Sequence, residues 1–334
     1  MLLRSLCALV SAFAILGLSP DAAAECMAAP ELTPASAEPV QGAAAAVAED
    51  RDGRVVAPVM LNGQGPFRFI IDTGANRSAI SERVARRLAL PVVGQGDVHT
   101  VHDVSPAPLV RVESLNFGGV SVNQEAMPLL RGPVLAGEDG LLGVDSMQGR
   151  RLIMDFENEC VEIEPSRRAR RLANWTSVRG TLRFGHLVLI EGSIRSRRVN
   201  ILIDTGSAVT LANPILRDRL RATVRQDIPS DELVRAFTAG SPIVFDTAVI
   251  IPSVNLGDVQ ARTVLAFVGD FHIFDLWGLR DEPTLLVGMD VLKQARGVAI
   301  DYQTGVVYFQ LPPERRTGSR VAGRTSSATT SIVR

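Results

Sequence analysis

The tripeptide Asp-Thr-Gly occurs twice in this chain of 334 residues, each time at the end of an apolar run. Phe69-Ile70-Ile71 leads into Asp72-Thr73-Gly74-Ala75, and Ile201-Leu202-Ile203 leads into Asp204-Thr205-Gly206-Ser207. At average composition about 0.1 such tripeptides are expected in a chain this long, so chance is a poor account of two. A strand that ends in a carboxylate, a hydroxyl and a glycine turn presents an acid at the floor of a cleft. Two such strands can bring two carboxylates side by side. Carboxylates that close cannot both ionise cheaply, so one of them keeps a proton.

The surroundings repeat as well. Val55 to Met60 precedes the turn Asn62-Gly63-Gln64-Gly65, and Leu187 to Glu191 precedes Gly192-Ser193, read here as the matching turn. After the first motif Ser81 opens a helix-like stretch from Glu82 to Leu90, and after the second Asn213-Pro214 opens one from Pro214 to Leu220. Ser and Asn are good N-caps and Pro suits the first helical position, so the two starts are chemically equivalent. Further on, Leu115-Asn116-Phe117-Gly118 is matched by Val254-Asn255-Leu256-Gly257, and Gly140-Leu141-Leu142-Gly143-Val144-Asp145 by Leu285-Leu286-Val287-Gly288-Met289-Asp290. Each half closes with an Asp-aromatic turn and an alternating strand, Asp155-Phe156 to Ile163 and Asp301-Tyr302 to Phe309. The chain is an internal duplication.

Within each half, short alternating strands are broken by Gly, Pro and Asn turns, with a short helix; this is an all-β pattern. The spacing from Asp to the later glycine makes the second half about 13 residues longer, part of the excess lying around Phe271 to Arg280. The expected organisation is a signal peptide at 1–24, a flexible Ala/Pro-rich leader at 25–50, a first lobe at 51–165, a linker at 166–177, a second lobe at 178–312 and a disordered tail at 313–334. Arg4, the apolar stretch Leu6 to Leu18 and Ala22-Ala23-Ala24 carry the export reading. The apolar stretch is shorter than the roughly 20 residues a membrane span needs, so no integral membrane segment is expected once the signal is removed. The expected location is periplasmic or secreted. In that compartment Cys26 and Cys160 either form one disulfide or remain two thiols.

Composition excludes some classes. A net charge of −1 leaves no nucleic-acid footprint. Aromatics at 5% disfavour a stacking platform. His99-Thr100-Val101-His102-Asp103 has metal-ligating residue types, but on a strand the two histidines face opposite sides, so no metal is expected there. No Gly-x-Ser-x-Gly elbow occurs. Asp145 and Asp290, which follow the supporting glycines, read as helix caps or buried hydrogen-bond acceptors. Trp175 reads as packing between the lobes. For Trp277 a local core role and a substrate contact stand open.

The duplicated Asp-Thr-Gly, each with its later apolar-apolar-Gly partner, resembles the retropepsin-like (clan AA) aspartic peptidases, in an exported bacterial form with two repeats in one chain. The resemblance covers nearly all of residues 51–312. It implies two closed β-barrel lobes related by a pseudo-two-fold axis, each with a short helix. It implies that Asp72 and Asp204 are the catalytic dyad and that Thr73 and Thr205 interlock beneath them. Gly74, Ala75, Gly206 and Ser207 would complete the two loops, and strands ending at Gly143 and Gly288 would run beside them. The activity implied is hydrolysis of peptide bonds in an extended polypeptide, with no metal or other cofactor, by a monomer acting as a pseudo-dimer. The alternative is a non-catalytic module that holds a peptide or envelope component on the same fold. The stretches in the flap positions, roughly Val93 to Val112 and Val224 to Phe245, depart from the family in being poor in glycine, unlike each other and without tyrosine. Ser207 can donate a hydrogen bond where Ala75 cannot. The expectation drawn from this is that its hydroxyl favours an ionised Asp204 and leaves the proton on Asp72.

Overall fold

The computed structural model describes residues 43–46, 48–117, 120–131, 133–168, 171–184, 187–220, 234–236, 243–313 and 331–333. The export signal, most of the leader and most of the tail lie outside them, as does most of the second flap stretch, residues 224–233 and 237–242. Among the described residues no helix is long and apolar enough to cross a membrane.

The first repeat comprises β1 (Val55–Leu61), β2 (Gln64–Ile71), β3 (Ala79–Ser81), α1 (Glu82–Arg87), β4 (Val92–His99), β5 (Val104–Phe117), β6 (Val120–Leu130), β7 (Gly140–Leu142), β8 (Arg150–Asp155) and β9 (Cys160–Pro165). Six of these strands pair in the order β1-β2-β7-β3-β6-β5, and β5 returns to β1 through Met60↔Asn116 and Leu61↔Leu115, closing a barrel. The second repeat comprises β10 (Thr176–Arg183), β11 (Leu187–Ile194), β12 (Arg197–Ile203), β13 (Thr210–Ala212), α2 (Pro214–Leu220), β14 (Ala248–Leu256), β15 (Val259–Val268), α3 (His272–Leu276), β16 (Thr284–Val287), α4 (Met289–Leu292), β17 (Gly297–Asp301) and β18 (Val306–Gln310). Its order β11-β12-β16-β13-β15-β14 is the same, with Ser193↔Asn255 joining the two ends. The fold is two closed β-barrel lobes built by one duplicated pattern.

The strand pairs explain the order. In each lobe a two-residue turn connects the first two barrel strands, β1 to β2 and β11 to β12, with both residues at positive φ: Asn62 (49°) and Gly63 (73°), then Arg195 (49°) and Ser196 (63°). Such a turn matches the right-handed twist of the strands it joins. The second turn is therefore three residues beyond the expected position at Gly192-Ser193. Gly192 lies inside β11, where a methyl group would come within 2.6 Å of the Asn255 carbonyl oxygen. It permits the close approach of β14 that shuts the barrel.

The lobes are joined from below. The hairpin β8-β9 pairs with the hairpin β17-β18 through β8 and β17, from Arg151↔Asp301 to Asp155↔Gly297. β10 extends this sheet on β18. Inside it, Arg151 and Glu164 form a buried ion pair, and Ser166 donates to Asp301. Residues read as leader and tail contribute three short strands: Ala43–Ala46 pairs with β9, Ala48–Glu49 with β1 and Ser331–Val333 with β15. Cys160 is disulfide-bonded, to a cysteine outside the described residues.

Both helices start as their sequence dictates. Ser81 Oγ accepts from the Val84 N–H at 3.3 Å, and Asn213 Oδ1 from the Leu216 N–H at 3.0 Å. α1 ends at Arg87, short of Leu90, because Ala89 takes a φ of 50° ahead of Pro91.

Candidate active site

The apolar runs before each Asp are central barrel strands. β2 runs parallel to β7 with Ile71 opposite Leu142, and β12 runs parallel to β16 with Ile203 opposite Val287. The ladder ends identically in both lobes: the Asp72 N–H donates to Leu142 O and the Asp204 N–H to Val287 O, each at 3.0 Å. The chain then turns, and the two turns meet on the pseudo-two-fold axis.

The threonines cross between the lobes. Thr73 Oγ1 donates to Ile203 O at 2.9 Å and accepts from the Thr205 N–H at 3.0 Å. Thr205 Oγ1 donates to Ile71 O at 2.6 Å and accepts from the Thr73 N–H at 3.1 Å. Both side chains are buried. Three polar groups from each lobe thus pair across the boundary in four hydrogen bonds, which makes the pairing of the two loops specific.

The glycines let the loops touch. A methyl group on Gly74 would lie 2.6 Å from Asp204 Cγ, and one on Gly206 would fall closer still to Asp72 Cγ. Each carboxyl therefore packs against the backbone of the opposing loop. It also accepts from its own: the Gly74 N–H donates to Asp72 Oδ1 at 2.9 Å and the Gly206 N–H to Asp204 Oδ1 at 2.8 Å, with the N–H groups of Ala75 and Ser207 adding to each. The two carboxyl groups lie close enough for the charge on one to bear on the other.

Gly143 and Gly288 pass behind these loops. A methyl on Gly143 would come 2.6 Å from the Arg77 carbonyl carbon, and Gly288 abuts Val209 in the same way. The Val144 N–H donates to Ala75 O and the Met289 N–H to Ser207 O, each at 2.9 Å.

A second pair of side chains, not singled out in the sequence, stiffens both loops. Ser78 Oγ donates to Asp145 Oδ1 at 2.7 Å and accepts from the Gly143 N–H at 3.0 Å. Thr210 Oγ1 donates to Asp290 Oδ1 at 2.8 Å and accepts from the Gly288 N–H at 3.1 Å. The signal was present: both repeats place a hydroxyl six positions after the motif aspartate.

The expectation for Ser207 is corrected. Its hydroxyl donates to Val209 O at 2.7 Å and not to Asp204; only its backbone N–H serves the carboxyl. The charge assignment drawn from it loses that support. Burial, then the negative charge of Asp72, push the Asp204 carboxyl up to about 8. Burial also raises Asp72, which keeps a part-open face to the cleft. The N–H groups of Gly74 and Ala75, the guanidinium of Arg54 and the hydrogen bond from Asp204 all act against that rise. These influences favour the proton on Asp204 and the charge on Asp72.

The hairpin β4-β5 reaches from the first lobe to the second. Thr100 Oγ1 ties its turn by donating to Asp103 Oδ1 at 2.7 Å. The Ile273 N–H at the start of α3 donates to Val101 O at 3.3 Å, and Val101 packs on the cluster that holds Phe271, Phe274 and Trp277. His99 Nδ1 and His272 Nε2 stand 3.0 Å apart with their rings stacked. The extra segment of the second repeat is thus the landing place of a first-lobe flap. Trp277 is buried in that cluster, which selects the local core role. Among the described residues no group of three or more His, Cys, Asp or Glu side chains gathers as a metal site. The second flap position carries a short hairpin, Val234–Ala236 with Ile243–Phe245.

These two barrels, with an Asp-Thr-Gly loop from each meeting on one axis, define an aspartic-protease architecture. A family model described as Aspartyl protease matches the chain twice, over residues 57–146 and 190–291. The chain belongs to this family. A comparison with curated proteins finds no match.

Proposed function

We propose that the chain is an aspartic endopeptidase that hydrolyses peptide bonds of an extended polypeptide with a water activated between Asp72 and Asp204. The observation that carries this reading is the packing of each carboxyl group against the glycine of the opposing loop, at the crossing of Thr73 and Thr205. In this mechanism the ionised Asp72 takes a proton from water as general base. The resulting oxygen nucleophile attacks the peptide carbonyl. The protonated Asp204 polarises that carbonyl and then supplies the proton for the departing nitrogen. The protein supplies preorganisation: loop N–H groups hold both carboxyls in place before substrate arrives. An extended substrate would lie between the dyad and the β4-β5 hairpin, held by main-chain hydrogen bonds with alternate side chains read by pockets.

The reading includes export to the periplasm or beyond, and action as a single chain whose two halves are held together by the interlobe sheet and the threonine crossing. Digestion of casein or a peptide library across pH, with and without pepstatin, tests it. Pepstatin-sensitive cleavage with an acidic to near-neutral optimum is expected. Binding of peptide with no cleavage at any pH would favour the non-catalytic alternative.

A further inference from the structure

Arg54 is a buried cation that the threonine crossing and the loops do not explain. It precedes β1 and is 8% exposed. Asp50 holds it: Nε donates to Asp50 Oδ2 at 2.7 Å, and the Arg54 N–H donates to Asp50 Oδ1 at 2.8 Å. From there Nη1 reaches Val134 O at 3.3 Å and, across the lobe boundary, Gly206 O at 3.4 Å. Gly206 is the residue whose backbone packs against the Asp72 carboxyl. The guanidinium of a first-lobe residue is thereby anchored to the part of the second loop that covers the first-lobe aspartate. Its Nη2 is buried without a hydrogen-bond partner, 3.7 Å from Asp52 Oδ2.

Arg54 also breaks the symmetry of the duplication. It stands 18 positions before Asp72, and the residue 18 positions before Asp204 is His186. No second guanidinium is therefore encoded at that place. We propose that Arg54 is the positioning residue that divides labour in the dyad: it holds Asp72 as the ionised base and leaves Asp204 as the acid. This rests on the endopeptidase reading for its consequence, not for its test.

The charged groups around Asp72 are few. Asp204 faces it from the opposite loop and Arg54 from the segment before β1, itself faced by Asp50 and Asp52. From the interlobe sheet comes Tyr302, whose buried phenol both aspartates push further up, so it stays neutral. Arg54 acts on Asp72 against the burial that raises it, while burial and Asp72 are the leading influences on Asp204.

Carboxyl carbon-13 NMR of aspartate-labelled protein reads each site without any need for activity. In the Asp204→Asn protein, adding Arg54→Gln should raise the Asp72 midpoint by about one pH unit, the low end for a nearby opposite charge because Asp50 already offsets part of it. In the Asp72→Asn protein the same change should move Asp204 by less than about a third of that. Arg54→Lys, which keeps the charge, should restore Asp72 to within about half a unit. Asp50→Asn, which strips a counter-charge, should move Asp72 downward and covers the case in which Arg54→Gln does not fold. Equal shifts at both aspartates, an Asp72 midpoint indifferent to Arg54→Gln, or an upward shift in Asp50→Asn would overturn the proposal. In the active enzyme the acidic limb of kcat/KM should follow the Asp72 shift. A wild-type chain that cleaves nothing would count against the endopeptidase reading while the NMR test of Arg54 stands.

Discussion

Replacing Asp204 by Asn probes the electrostatics of the pair while leaving its shape almost unchanged. Asp204 is 7% exposed, and burial first, then Asp72, push its carboxyl up to about 8. In the unfolded chain the same carboxyl titrates near about 3.9. Between those two values the native state holds a proton that the unfolded state has released. The stability contribution of this group is therefore fully present below about pH 4 and is lost as pH rises toward about 8. The slope is that of one proton, about 1.4 kcal/mol per pH unit. At a pH of about 6.5 the accumulated loss is roughly 3.5 kcal/mol. Asn is neutral in both states and keeps a side-chain donor for Asp72. Asp204→Asn is therefore expected to be more stable than wild type by roughly 3.5 kcal/mol near pH 6.5, with the advantage vanishing near pH 4. Guanidinium unfolding curves at half-unit pH steps measure both proteins. A stability difference that is constant across this range, or that falls with rising pH, would refute the proton bookkeeping.

Other outcomes follow from the same geometry. Ser207→Ala should leave the acidic limb of the pH–rate profile in place, because the lost hydroxyl bond goes to Val209 O; a shift of half a unit or so in that limb would contradict the assignment. Gly206→Ala should destabilise by about 1–3 kcal/mol, because the new methyl overlaps the Asp72 carboxyl. Thermal unfolding and peptide cleavage should show stability and activity falling together. His272→Ala removes one clasp of the β4-β5 hairpin on α3. Limited proteolysis should then nick residues 100–103 faster than in wild type, and an unchanged nicking rate would show that the clasp is not what holds the flap.

The duplication made much of this architecture legible. Two identical tripeptides at the ends of apolar runs predict two equivalent strand ends, and the later Leu-Leu-Gly and Leu-Val-Gly predict their neighbours. Caps at Ser81 and Asn213 were readable because their chemistry is local. What stayed hidden was long-range or side-chain directional. The turn at Arg195-Ser196 carries no glycine, and Gly192 drew attention although its purpose is a contact with Asn255, more than 60 residues away. The Ser207 hydroxyl had two acceptors within reach, and sequence does not say which one it chooses. Arg54 gains its meaning from Gly206, 152 residues later, and only packing brings the two together.

The central claim is that the two repeats form one catalytic pair. Its most direct test is peptide cleavage by wild type, Asp72→Asn and Asp204→Asn at matched pH, each variant first shown to be folded. The account predicts that either substitution alone lowers kcat/KM by about a thousandfold or more, since each removes one role from a unit that needs both. Substantial activity remaining in either single variant, under conditions where wild type cleaves, would contradict it.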